Sequence, residues 1–282
     1  MGAQPDKQSH VASGLDAADF DPIALHNNNI ALLDEQDVIV ASFPGAGASL
    51  VGNILLELGL EYFDPYTQRL IQQGTVVSEP RRVAYRRRLA ASMARDGESP
   101  GRHSNGRRFV KTHLLPDMFD RSRAHRAVLL VRDPRDTLFS YYNWRLGFSE
   151  EGETRTFERY LTEPNLSGVR PVDDWQLFHE LWNRSALHVI RFEDLKSDPF
   201  NAVETFLYAF DITYAGDDLR RALRRSSFDA MRRHEDAYAD TPHRIMRHGV
   251  PGEWHDWYQG DIVAHFAEPS LRPLAGTYGY AL

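Results

Sequence analysis

The chain has 282 residues, 42% of them hydrophobic and 26% charged, an ordinary balance for a globular protein and enough for one large α/β domain or at most two. A net charge of −7 excludes a globally basic nucleic-acid binder, so any chemistry on anions must be local. The absence of cysteine excludes a disulfide framework and a thiolate zinc site, and no apolar run approaches the ~20 residues that span a bilayer. No basic-then-apolar leader opens the chain, and a cytoplasmic location is the expectation.

Residues 1–36 are polar and weakly periodic. They read as a partly flexible tail with one short helix near Ile23 to Leu33, and residues 37–282 as the folded domain. Val38-Ile39-Val40 predicts a short strand and Pro44-Gly45-Ala46-Gly47 a loop of small residues, after which Leu50, Ile54, Leu55 and Leu58 recur at helical spacing. Strand, glycine loop and helix in succession build an anion site. The loop and first-turn N–H groups have no intrahelical partner, and the helix dipole favours negative charge there. Taken alone, the stretch is equally a tight strand-to-helix turn.

Tyr62 to Pro65 reads as a loop, since Asp64-Pro65 is a turn signal. Residues 81–108 are rich in arginine, from Arg81, Arg82, Arg86, Arg87 and Arg88 through Arg107 and Arg108. They read either as a solvated basic helix face or as a docking surface for an anionic substrate or carrier. Phe109–His113, Ala127–Val131 and His188–Phe192 predict further strands; Asp136–Leu146, Ala202–Phe210 and Asp217–Arg225 predict helices. Residues 238–257 read as a long ordered loop. The alternation predicts a P-loop-like three-layer α/β fold, a central parallel sheet flanked by helices.

In such sheets ligands gather beyond the carboxyl ends of the strands. The residues at those ends are the Gly45–Ser49 loop, Lys111, His113, Arg132 and Glu193-Asp194. An anion-binding loop, cations and a histidine suit a phosphate-bearing ligand and a proton transfer. No cluster with metal-ligand spacing is present, and no metal is expected.

Six segments, in order from Val38 to Trp254, resemble the sulfotransferases that use 3′-phosphoadenosine 5′-phosphosulfate (PAPS). Phe43-Pro44-Gly45-Ala46-Gly47-Ala48-Ser49-Leu50 is similar to that family's 5′-phosphosulfate loop, FPKSGTTW. Lys111-Thr112-His113-Leu114-Leu115-Pro116 resembles its KTHLP segment, and Arg132-Asp133-Pro134-Arg135-Asp136 through Ser140-Tyr141-Tyr142 its 3′-phosphate segment. Arg191-Phe192-Glu193-Asp194-Leu195 resembles its YEDL step. Ser226-Ser227-Phe228-Asp229-Ala230-Met231 looks like the TSFxxM segment bordering adenine, and Arg247-His248-Gly249-Val250-Pro251-Gly252-Glu253-Trp254 like the late RKGxxGDW loop.

The resemblance implies sulfuryl transfer from PAPS to an acceptor hydroxyl, leaving 3′-phosphoadenosine 5′-phosphate (PAP). His113 is the implied general base, with Lys111 and Ser49 steadying the transferring group. Pro44, Gly45, Ala46, Gly47, Ala48, Ser49 and Leu50 form the implied 5′ cradle. Arg132, Ser140, Arg247, His248 and Gly249 serve the 3′-phosphate, and Phe192, Ser227 and Phe228 the adenine. The implied partner is a hydroxyl-bearing acceptor, either a small molecule or carrier-bound.

Three departures stand out. Gly45 replaces the loop lysine that meets charge developing on the departing phosphate, normally a large catalytic contribution. Lys111 is the first candidate substitute, since residues two apart on a strand share a face and Lys111 then lies beside His113, and an arginine from the basic segment is the second. Leu50 replaces the loop tryptophan, and Ala48 lacks the usual hydroxyl. Two rivals remain. One is a degenerate, non-catalytic nucleotide- or carrier-binding member, which Gly45 favours. The other is a P-loop kinase, whose Gly-Lys-Ser/Thr ending Gly47-Ala48-Ser49 lacks. Arg135 and Arg145 read as solvated helix charges, and Trp144, Phe148 and Trp175 as core packing or an apolar acceptor wall.

Overall fold

The computed structural model describes residues 22–66, 68–70, 76–78, 107–119, 126–148, 156–165, 168–238 and 244–282. Seven strands are described: β1 (Val38–Ser42), β2 (Glu61–Phe63), β3 (Gln68–Leu70), β4 (Val76–Ser78), β5 (Arg108–Thr112), β6 (Arg126–Val131) and β7 (His188–Arg191). The helices are α1 (Pro22–Ile30), α2 (Ala48–Glu57), α3 (Pro134–Phe148), α4 (Phe157–Thr162), α5 (Pro171–Asn183), α6 (Phe192–Ser197), α7 (Pro199–Ala209), α8 (Gly216–Arg225), α9 (Phe228–Tyr238), α10 (Ile262–Phe266) and α11 (Leu271–Thr277).

Five strands form one sheet in the order β2-β5-β1-β6-β7, every neighbouring pair parallel. The expected α/β fold, a central parallel sheet between helical layers, is therefore present. β3 and β4 form a separate antiparallel pair. Alternation along β1 explains the layers, because successive side chains leave opposite faces of a strand. Ile39 and Ala41 join one core with Phe43, Leu129, Leu138, Trp175 and Phe178, under α3, α5 and the C-terminal helices. Val38 and Val40 join the other with Leu55, Phe109, Leu130 and Phe206, under α2, α7 and α8. A sheet buried on both faces needs continuous apolar strands, and β1 and β6 meet that demand with fully buried runs.

The helix expected within the 1–36 stretch forms as α1 and is docked rather than loose. His26, Leu25, Asn29 and Leu33 are buried, and Asn29 donates to the Pro65 carbonyl at 2.9 Å. Most of the arginine-rich stretch, 81–106, lies outside the described residues. Its last two members are structural, not part of a basic helix face: Arg107 donates to the Phe210 carbonyl, and Arg108 lies wholly buried in β5. The central position of β1, between β5 and β6, brings the loop after β1, His113 after β5 and Arg132 after β6 to one end of the sheet. Among the described residues, no helix is long and apolar enough to cross a membrane.

Arg108 pairs with Asp37 at 2.8 Å, both side chains fully buried. Removing one partner of a buried pair costs about 3–5 kcal/mol, because the other charge keeps its desolvation penalty. Asp37→Ala is therefore expected to lower unfolding free energy by about that amount in urea titration, and an unchanged midpoint would contradict the assignment.

Candidate active site

One cavity of about 880 Å³ opens at the carboxyl end of the sheet. The loop after β1 forms its floor. Gly47 holds the left-handed conformation, φ 106°, as the residue before α2, and the Leu50 N–H donates back to its carbonyl at 3.0 Å. Pro44, Gly45, Gly47, Ala48, Ser49 and Leu50 all line the cavity, so the first turn of α2 faces it. Ala46 does not: it is fully buried in the core beneath.

The Gly45 position is more constrained than the sequence showed. Its φ is 90°, and an added Cβ would stand 2.5 Å from the Thr137 carbonyl oxygen and 3.1 Å from the Tyr141 backbone nitrogen. The loop lies against the backbone of α3, and a lysine cannot enter without moving one from the other. Glycine here is a packing requirement as well as a lost cation.

His113 follows β5 directly, and its Nδ1 lies 2.6 Å from the Ser42 carbonyl oxygen at the end of β1. A carbonyl can only accept, so Nδ1 carries the proton and the neutral ring keeps its lone pair on Nε2. The His113 backbone N–H donates to the Tyr66 hydroxyl at 3.0 Å, and the two rings stack with centroids 5.7 Å apart. His26 of α1 backs Tyr66 at 4.6 Å and meets Thr112 Oγ1 at 3.2 Å. Lys111 lines the same cavity and pairs with Asp64 Oδ2 at 3.1 Å, while Asp64 Oδ1 accepts the Tyr66 N–H at 3.1 Å. One turn after β2 thus holds both Lys111 and His113. The sequence marked Asp64-Pro65 only as a turn; nothing in its spacing revealed which cation the carboxylate meets.

The opposite wall centres on Arg132, which donates to the Gly45 carbonyl (3.2 Å) and the Val250 carbonyl (3.1 Å) and lies over the Phe192 ring at 4.4 Å. Among the described residues, its buried Nε has no hydrogen-bond partner. Asp136, 3.6 Å from Arg132, also accepts the Gly252 and Trp254 N–H groups at 2.7 and 3.0 Å, which ties the late loop to α3. Arg135 is buried, not a solvated charge. It forks Asp133 at 2.9 and 2.6 Å, with Trp254 stacked on it at 3.5 Å.

Ser140, Phe192, Phe228, Arg247, His248 and Gly249 also line the cavity. Arg247 is forked by Glu253, which His248 Nδ1 approaches at 3.3 Å. Gly249 (φ 65°) lies so close to Phe228 that a Cβ would reach within 2.2 Å of its ring. Ser227 is not part of the wall: its exposed side chain accepts the Ala230 N–H at 3.3 Å in the first turn of α9. Trp144 and Arg145 line the outer cavity, and Trp175 is core, stacked on His179 at 3.9 Å. The side chain of Phe148 is outside the described residues. No group of three or more His, Asp or Glu among the described residues could hold a metal ion.

The Sulfotransferase domain family matches residues 35–269, from just ahead of β1 to the turn before α11. The chain belongs to this family. Sulfotransferase 1B1 of Mus musculus is 25% identical over 186 residues, 60% of this chain and 62% of that protein, so the match spans under two thirds of the relative's length. Sulfotransferase 1A1 of Bos taurus is 21% identical over 256 residues, 82% of each chain. The crystal structure of mouse sulfotransferase SULT7A1 complexed with PAP shares the fold, with a TM-score of 0.61 at 16% identity over 91% of this chain and 94% of that one. The sulfotransferase resemblance read from the motifs is thus borne out, and the kinase reading has no support. α1 lies ahead of the residues that the family model matches.

Two outcomes follow. Burial pulls His26 to about pKa 4 and His113 and His179 to about 3. All three stay neutral when folded but take a proton near pH 6.5 when unfolded, so the unfolded state binds more protons as pH falls. Stability should be full above about pH 7 and decline from about 6.5 downward. Melting temperatures across pH 4–8 test this, and a midpoint level down to pH 4.5 would contradict it. Gly45→Ala should cost about 1–3 kcal/mol by chemical denaturation, through positive φ and the Thr137 contact; wild-type stability would contradict the tight approach.

Proposed function

We propose that the protein transfers the sulfuryl group of PAPS to an acceptor hydroxyl, with His113 as general base. The observation that carries this reading is the Nδ1 bond of His113 to the Ser42 carbonyl, which leaves the Nε2 lone pair free in a cavity shared with Lys111 and the start of α2. An alcohol attacks poorly until it loses its proton, and a positioned neutral imidazole accepts it.

The residues present fit the nucleotide. Arg132 has a buried Nε unpartnered among the described residues, and two left-handed glycines, Gly47 and Gly249, let the Phe192 and Phe228 rings close on the backbone. When bound, PAPS supplies a sulfuryl group already activated as a phosphosulfate anhydride. Around it, the N–H groups at the start of α2 and the Ser49 hydroxyl would meet the 5′ end, as helix N-termini favour anions. Arg132, Ser140, Arg247, His248 and the Gly249 N–H would hold the 3′-phosphate, and Phe192 and Phe228 would flank the base. Lys111 would stabilise charge developing at the leaving oxygen, exchanging Asp64 for it, and Arg247 would likewise exchange Glu253. The outer cavity is lined by Leu115, Met118, Tyr141, Trp144, Leu177 and Phe178. This lining favours a small acceptor with a substantial apolar portion over a carrier-bound one. A cytoplasmic location remains part of this proposal.

The second reading, a non-catalytic nucleotide binder, draws on Gly45: the loop supplies no side-chain cation and has no room for one. Calorimetric titration with PAP and an acceptor screen with PAPS separate the two. Saturable PAP binding with sulfuryl transfer to an acceptor is expected. His113→Ala should then lose ~10²–10⁴ in turnover while retaining PAP affinity. Tight PAP binding without transfer to any of a broad hydroxyl panel would favour the binder, and absence of PAP binding would overturn both.

A further inference from the structure

We propose that Lys196 is a direct ligand of the nucleotide's 3′-phosphate, forming with Arg132 a two-cation grip; this rests on the PAPS reading above. None of the motifs contains this residue. By sequence, a lysine after Glu193-Asp194-Leu195 near a helix end reads as an ordinary solvated charge, favourable to the helix dipole.

The structure places it differently. Lys196 stands in the last turn of α6, four residues after Phe192, so the two share one helix face. Phe192 carries the Arg132 guanidinium over its ring at 4.4 Å. Lys196 Nζ is 5.9 Å from the centroid of Phe228, the other ring of the nucleotide wall. The residue is partly buried and lines the cavity. Among the described residues no carboxylate comes within ion-pair distance of it. Burial and, next, the charge of Arg132 pull its ammonium below the ordinary lysine range, against the opposing pull of Asp229.

Two cations therefore line one wall of the cavity, and the carboxylates beside Arg132 and Arg247 are committed elsewhere. Glu253 forks Arg247. Asp136 is shared between Arg132 and the two N–H groups of the late loop. Placing like charges together in a partly desolvated wall costs free energy that an anion of matching charge recovers. A phosphate monoester carries about two negative charges near neutral pH and accepts several charge-assisted hydrogen bonds. It can take the fork of Arg132 and the single point charge of Lys196 at once. A carboxylate or a neutral ribose hydroxyl would leave one cation uncompensated.

Calorimetry on the full chain tests the assignment, comparing wild type, Lys196→Gln and Lys196→Arg, each titrated with PAP and with adenosine 5′-phosphate, which lacks the 3′-phosphate. Lys196→Gln should weaken PAP binding by about 10–100-fold, the range for a hydrogen bond to a charged group, and leave adenosine 5′-phosphate binding unchanged. Lys196→Arg should keep most of the PAP affinity, and both variants should melt like wild type. Wild-type PAP affinity in Lys196→Gln overturns the proposal, and so does an equal loss for both nucleotides. A wild-type protein that binds no PAP overturns the underlying PAPS reading instead, which separates the two failures.

Discussion

The hydrogen bond from His113 Nδ1 to the Ser42 carbonyl is the contact on which the chemistry of this site depends. It settles which ring nitrogen bears the proton, and so which one faces the cavity with a lone pair. The bond exists because β1 and β5 are parallel neighbours with Ala41 opposite Thr112, so that Ser42 and His113 emerge side by side at the carboxyl edge. Strand order therefore sets the orientation of this ring: a β5 placed elsewhere in the sheet would present the same histidine without its orienting carbonyl. Tyr66 then fixes the ring from behind, through the His113 backbone N–H and through stacking.

A second constraint closes the distant half of the site. Asp136 reaches from the first turn of α3 to the Gly252 and Trp254 N–H groups, more than a hundred residues later in the chain. The buried Arg135–Asp133 pair underlies Trp254, and Glu193 joins the Asp133 N–H to the Tyr280 hydroxyl. Carboxylates thus do most of the assembly of a cavity whose proposed ligand is an anion. They locate the cations, with Glu253 pairing Arg247 and Asp64 pairing Lys111. Preorganised charge of this kind is the general means by which enzymes stabilise developing negative charge.

Four strands of the sheet were legible because they are apolar runs ended by chemistry-bearing residues, and the ordered motifs then pointed to a family. α2, α3, α7 and α8 showed their period for the same reason. β2, a three-residue edge strand, lies partly in the stretch that the Asp64-Pro65 turn signal made read as a loop. What was not legible depended on contacts across the chain. Ser227 and Ala46 belong to motif segments yet serve a helix end and the core, which a segment match cannot distinguish from ligand contact. Arg135 read as solvent-exposed because only the fold brings Trp254 over it. Asp64, Tyr66 and His26 act on Lys111 and His113 from separate elements, and nothing in local spacing signals that. α1 belongs with the folded body because Asn29 meets Pro65, a contact invisible to hydropathy. The Gly45 departure, read from sequence as a loss, is in the structure also the closest approach of loop to helix.

The central claim is that His113 sits neutral at working pH, protonated on Nδ1 with Nε2 open to the cavity. Nitrogen-15 chemical shifts of the His113 imidazole, followed from pH 8 to pH 5 in the full chain, read that state directly. The account predicts an Nδ1–H tautomer that persists across the whole range without a titration step. An Nε2–H tautomer, or a protonation midpoint near 6.5, would contradict it.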